Sequence, residues 1–303
     1  MGEHLMQSER KLLTTAVPLR RNWRFQALWT GAAAANLGLE TVEVAYPLLI
    51  LALTGSPALA GVFGFTQVGT AILVGLPAGA VVDRWDRRRV LLIAEAVRAL
   101  TLAAIVVALL QQRAGFALLI VAAIVLGSAT AFGAPARMLL IRAVVPDEQL
   151  TQALSQDEAR GGVAALIGPP LGGALFVLSR AFPFVAATAG FVVSWVCALL
   201  VRVPPVERPA EPASVRGAWA PLQTVFSGLR ELVSDRLLRA ALALISIFYF
   251  SITAAILMVV VTLRHDHYSA RTIGLTLTGT AVGMLIGSVL VPRLNRLLDP
   301  GGL

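Results

Sequence analysis

Long apolar stretches separated by short polar ones run through most of the chain, and none shows the two-residue alternation of a strand. Eight of them reach the roughly 20 mostly apolar residues that a helix needs to cross a bilayer. They are Phe25–Leu53, Ala58–Val82, Val90–Gln111, Ala114–Ile141, Gln152–Leu178, Phe182–Val201, Arg239–Leu263 and Thr272–Val291. Gly and Pro punctuate several, which helix bundles in lipid tolerate. The pattern predicts an all-α polytopic membrane protein. Residues 1–24 form a polar, basic terminal segment ahead of the first run. Residues 202–238, with Pro204, Pro205, Pro209 and Pro212 near their start, form a linker that divides the runs as six before and two after. Leu222–Leu238 within it has the pattern of an amphipathic helix on a membrane surface. The expected units are therefore 1–24, 25–201, 202–238 and 239–303.

The charges orient this array. Arg10, Lys11, Arg20, Arg21, Arg24, Arg84, Arg87, Arg88, Arg89, Arg137, Arg142, Arg160, Arg202, Arg208, Arg216, Arg230, Arg236, Arg239, Arg293 and Arg296 fall to one side. Arg113, Arg180, Arg264 and Arg271 fall to the other, and Arg98 lies within a helix. Basic loops stay in the cytoplasm, so the amino terminus is expected there. Net charge of +8 and a pI near 11.0 are accounted for by these loops. The basic residues are not interleaved with aromatics as a base-stacking surface requires, which argues against nucleic acid as a partner. Only 14% of residues are charged, too few for a water-facing surface and enough for a lipid-facing one.

Other classes are disfavoured residue by residue. Cys197 is the single cysteine, so no intramolecular disulfide forms, and it sits in an apolar run as a small hydrophobe. No small-residue cleavage site follows the first run, which is read as a retained helix. No G-x-x-x-x-G-K-[ST] loop occurs, and Lys11 is the only lysine, which disfavours ATP-driven pumping. Gly75-x-Pro77-x-Gly79 is a helix feature in this setting. His265-Asp266-His267 places three diverging side chains in one loop without a further ligand, so no metal and no cofactor is expected.

The sharpest motif is Gly79-Ala80-Val81-Val82-Asp83-Arg84-Trp85-Asp86-Arg87-Arg88-Arg89 in the short turn between runs two and three. It resembles the signature loop of the major facilitator superfamily, with Gly79, Asp83, Arg84, Arg87 and Arg88 at its positions. Asp86 stands where that pattern usually has a second Gly, which leaves the turn without its φ > 0 residue. The resemblance implies a gating latch, an acid against a helix N-terminus locked by arginines. A purely orienting basic loop is the plainer alternative. Gly168-Pro169-Pro170-Leu171-Gly172-Gly173 in run five is similar to the helix-5 element of the superfamily's antiporters, where Gly168, Pro169, Gly172 and Gly173 would give a bent, closely packed helix.

Gly38, Ala45 and Pro47, then Leu53-Thr54-Gly55-Ser56-Pro57, Ala134-Pro135-Ala136-Arg137 and Val145-Pro146 resemble its siderophore and macrolide branch, the enterobactin-exporter-like one. That branch commonly has an acid after the first of these glycines; here Leu39 stands there, and Glu40 and Glu43 follow. Spaced by three in mid-run, those two share one helix face where an ionised carboxylate is expensive. They are candidates for proton coupling or for meeting a cationic substrate, unless they face a wet cavity and stay ionised. Glu95 and Arg98 pair at spacing three in run three, as a gating element or as a neutralised pair that orients the helix.

The resemblance implies a secondary transporter that exports a small molecule, drug or siderophore-like, across the inner membrane by proton-coupled alternating access. Its partners would be that substrate, protons and the lipid bilayer. It also implies twelve helices in two halves: a six-helix N-terminal half-bundle, with runs seven and eight opening a second half. The chain stops at Leu303, so a C-terminal half outside it is an implied partner. A non-transporting binding or regulatory subunit, and a lipid flippase of the same fold, are the alternatives. A faint repeat pairs Gly69-Thr70-Ala71 of run two with Gly279-Thr280-Ala281 of run eight.

Overall fold

The computed structural model describes residues 18–201, 234–266, 268–269, 272–276 and 279. Among them every long element is an α-helix: α1 Trp23–Thr54, α2 Pro57–Arg84, α3 Arg87–Leu110, α4 Phe116–Val144, α5 Asp147–Leu178, α6 Phe182–Leu200 and α7 Arg236–His265. All seven contain a segment long and apolar enough to cross a membrane. The linker up to residue 233 and nearly all of run eight, with Thr280 and Ala281 of the faint repeat, lie outside the described residues.

Short connections end each helix by local chemistry. Asn22 caps α1, accepting from the Phe25 amide at 3.2 Å, and its own amide donates to the Val144 carbonyl at the end of α4 at 2.7 Å. Gly55 closes α1 at φ 68°, a conformation that suits a residue without Cβ, and returns its N–H to Leu51. Pro57 then opens α2 at its first turn. Helix α5 starts five residues before the apolar run, at Asp147. Asp147 and Glu148 sit in its first turn, where the positive end of the helix favours carboxylates. The signature turn needs no positive φ. Trp85 and Asp86 are both extended, and Asp86 caps α3 by accepting from the Arg88 and Arg89 amides.

The packing has an internal symmetry. Helix α1 lies against α5 and α6, α4 lies against α2 and α3, and α3 lies against α6. Exchanging α1 with α4, α2 with α5 and α3 with α6 leaves this set unchanged. Two three-helix repeats related in this way are a common transporter building plan. Two apolar clusters fill the bundle. One gathers Tyr46, Leu49, Phe63, Leu102, Leu119 and Phe184, with the Tyr46 ring 4.5 Å from Phe63 and 5.2 Å from Phe184. The other gathers Phe25, Leu28, Val82, Leu91, Ile141 and Val201 near the opposite helix ends. Large apolar side chains such as Phe65, Ile72, Leu100 and Phe250 point outward, as lipid or a further protein surface allows.

Two arginines assigned to polar loops are elsewhere. Arg137 lies inside α4 and Arg160 inside α5, with side chains only 14% and 5% exposed. Each is held by an acid from within the bundle, which offsets the cost of leaving water. Among the described residues, Arg20, Arg21, Arg24, Arg87, Arg88, Arg89 and Arg142 lie at one set of helix ends, and Arg113, Arg180 and Arg264 at the other.

Candidate functional site

Helix α1 carries the predicted carboxylates at the place where α5 comes nearest to it. Gly168 lies against Cβ and backbone of Glu40, and Gly172 against the carbonyl of Thr41, each so close that a Cβ there would collide. The helix-5 motif and the first-helix acid, two separate expectations, thus meet in one contact. Glu40 is half-buried there. Glu43, one turn on, is exposed. Among the described residues neither carboxylate makes an ion pair, in contrast to the acids deeper in the bundle.

Below this contact, α1 and α5 part to form an open cleft of about 570 Å³. It runs from Arg20 and Gln26 at the mouth, past Trp29 and Arg160, to Leu37 and Ile167. Leu37 is one helical turn from Glu40, and Ile167 precedes Gly168. The lining of the cleft therefore stops about one helical turn short of Glu40. Trp29 is fixed in its wall by donating Nε1–H to the Gln156 carbonyl at 3.2 Å.

A buried charged bracket ties α3 to α4 between the two apolar clusters. Oε1 of Glu95 accepts from Arg98 Nη1 at 3.3 Å and from Arg137 Nη2 at 2.6 Å, and the Glu95 side chain is fully buried. Arg98 also donates to the Ala129 carbonyl at 3.3 Å and lies 5.4 Å from the Phe191 ring centroid. Oε2 of Glu95 has no partner among the described residues. The Glu95–Arg98 pairing is present as expected from spacing. Arg137 was missed because its side-chain direction is not legible in a run of small residues and it reads as a loop arginine.

The signature turn is divided between two roles. Arg88 donates from Nε to the Ala198 carbonyl at 3.2 Å and from Nη2 to Leu199, covering the open carbonyls at the end of α6. Arg89 pairs with Asp86 at 3.7 Å on the surface, and Arg87 is half-buried. A Cβ on Gly79 would meet open space. The side chains of Asp83 and Arg84 lie outside the described residues. Gly173, the last of the helix-5 glycines, is buried, and the Pro169 carbonyl is approached by Gly274. Pro169 and Pro170 are accommodated within α5. His265 and Asp266 pair with each other at 3.4 Å on the surface, and His267 lies outside the described residues.

A cleft between the first and fifth helices, in a bundle of two three-helix repeats, fits a transporter, and residues 28–302 match the Major Facilitator Superfamily. The chain belongs to that superfamily. It is a multi-pass membrane protein, and the superfamily is one of transporters rather than enzymes. A solved bacterial homologue of the human lysosomal transporter Spinster, in an inward-facing and unoccupied conformation, shares the major facilitator fold with a TM-score of 0.65. It is 17% identical over 92% of this chain and 63% of its own.

Other relatives match over a similar extent. Macrolide efflux protein A of Streptococcus pyogenes is 21% identical over 89% of this chain and 67% of its own length. Enterobactin exporter EntS of Shigella flexneri is 25% identical over 93% and 66%. Multidrug efflux pump Tap of Mycobacterium bovis is 25% identical over 85% and 62%. The chain spans about two thirds of the length of these relatives.

Proposed function

We propose that this major facilitator protein is a secondary active exporter of a small molecule, driven by protons and working by alternating access across the inner membrane. The observation that carries the proposal is the cleft between α1 and α5, which stops one helical turn from Glu40, where Gly168 and Gly172 allow the two helices to touch. A carboxylate one turn beyond such a cleft is placed to respond to solute and proton alike. A contact made through backbone rather than long side chains lets α5 shift against α1 without unpacking a core. Glu40 and Glu43 are the proposed sites of proton binding or cation recognition.

The charge asymmetry supports a cytoplasmic amino terminus. In that orientation α1 and α2 meet α7 toward the external side, through Val44, Leu48 and Val260 and through Gly61 and Leu257. The cleft opens beside Arg20 toward the cytoplasm. This corresponds to an inward-open arrangement, the state in which an exporter loads. Residues 25–201 serve as one rocking unit, 202–238 as its linker and 239–303 as the start of its counterpart. Asp83, Arg84 and Arg87 are proposed to close the inner gate, while Arg88 anchors the loop on α6.

The substrates named for the relatives differ, so a macrolide and enterobactin form the first panel. Cells producing the chain should hold at least about twofold less of one of them than cells without it, and a protonophore should erase the difference. Equal accumulation of both, with the protein present in the membrane, contradicts export.

A further inference from the structure

Arg160 is the unusual group in the cleft. It sits two turns below Gly168 on α5, is 6% exposed, and lines the cleft wall. One nitrogen, Nη2, donates to Asp157 Oδ1 at 2.6 Å, while Nε and Nη1 are enclosed and have no partner among the described residues. A buried guanidinium with unmade hydrogen bonds is costly, and an oxyanion is the group whose geometry fits its donors in pairs. Around it, Asp157 is the acid it contacts, Glu158 is exposed, Arg137 of α4 adds positive field, and Arg20 stands at the mouth. The described lining of the cleft contains these two arginines and two glutamines but no carboxylate. Its remaining wall is apolar, with Trp29, Leu37, Val163 and Ile167 along its length.

We propose that the cleft between α1 and α5 binds an amphipathic organic acid, its acid head on Arg160 and its apolar body along Trp29, Leu37, Val163 and Ile167. A volume of about 570 Å³ accommodates a drug-sized molecule. The positive mouth draws such an anion from the cytoplasmic side, and Arg160 then supplies orientation by donating N–H groups of its guanidinium fork to the acid's oxygens. This assignment gives the substrate class of the exporter proposed above and rests on that reading. The acid is an exported solute and not a resident lipid, because the mouth of the cleft lies at the polar helix end beside Arg20 and Gln26.

The test is a pair of probes with one apolar body, pyrenebutyrate and the neutral pyrenebutyramide, bound to the full chain in discs of zwitterionic lipid. Binding is read as energy transfer from Trp29 to pyrene, taken against the Trp29→Phe variant. The acid should bind at least about tenfold more tightly than the amide. Arg160→Gln should bring the two within about twofold. Asp157→Asn, which removes the competing negative charge beside Nη2, should tighten acid binding severalfold, a gain that misfolding cannot produce. Equal binding of acid and amide to the wild type, survival of the preference in Arg160→Gln, or no gain in Asp157→Asn would each overturn the proposal.

Repeating the titration in anionic phosphatidylglycerol discs, at about 1 M salt to screen the surface to about 3 Å, separates solute from lipid. Undiminished binding supports the solute, and displacement by the lipid overturns it. Binding is read without transport, so acid preference in a chain that lowers no solute's accumulation fails the exporter reading alone.

Discussion

Glu95 holds two arginines with a single oxygen. Its Oε1 joins Arg98 on its own helix to Arg137 on α4, at a side chain with no exposure. Buried ion pairs stabilise little relative to apolar packing, but removing one partner leaves the others uncompensated, at a cost of about 3–5 kcal/mol. Glu95→Gln would leave two guanidinium groups facing an amide that donates as well as accepts. The expected result is a loss of stability of that order, seen as a much lower unfolding midpoint in detergent, with α3 and α4 separating first. A midpoint within a degree or two of the wild type would mean that the bracket carries no structural charge balance. The same pair was legible in the sequence only in part. Spacing of three put Glu95 and Arg98 on one face, but the third member comes from 42 residues away, and nothing local to Arg137 announces it.

At the scale of elements, the turn between α2 and α3 shows how a departure from a motif can be neutral. Where a glycine is usual, Asp86 serves as N-cap, with extended backbone on both sides of the turn. The motif's positive φ is therefore replaced by two hydrogen bonds to the first turn of α3. Asp86→Ala should destabilise by about 1 kcal/mol, and Asp86→Gly by only a few tenths. Equal losses in the two variants would remove the cap from the explanation. Helix existence and order were legible because each run must be apolar for about 20 residues. Helix ends were less so: the first turns of α5 are polar and project beyond the lipid-facing run, so hydropathy placed the start at Gln152 where the helix begins at Asp147. Which helices touch was not legible at all. Gly168 and Gly172 could have faced any neighbour, and only the assembled bundle puts them on Glu40 and Thr41.

At the scale of the molecule, the exchange symmetry of α1–α3 with α4–α6 gives the bundle two similar units whose mutual contacts include Gly168, Gly172 and Gly127. Gly127 of α4 lies against the Gln67 carbonyl of α2 much as α5 lies on α1. Such contacts slide more readily than interlocked side chains, which suits alternating access. Orientation follows from the arginines and is open to a direct check. In a Cys197→Ala background, an impermeant maleimide added to intact cells should label Arg113→Cys and spare Arg142→Cys. The reverse pattern would invert the proposed topology, and with it the inward-open reading of the cleft.

Proton-coupled exchange centred on Glu40 and Glu43 is tested most directly in liposomes containing the full chain, by uptake of whichever panel solute the cells export. An acidic lumen should drive accumulation that collapses with the gradient and is lost in the Glu40→Gln, Glu43→Gln double variant. Accumulation at the wild-type rate in that variant, or without any gradient, would contradict proton-coupled export at these residues.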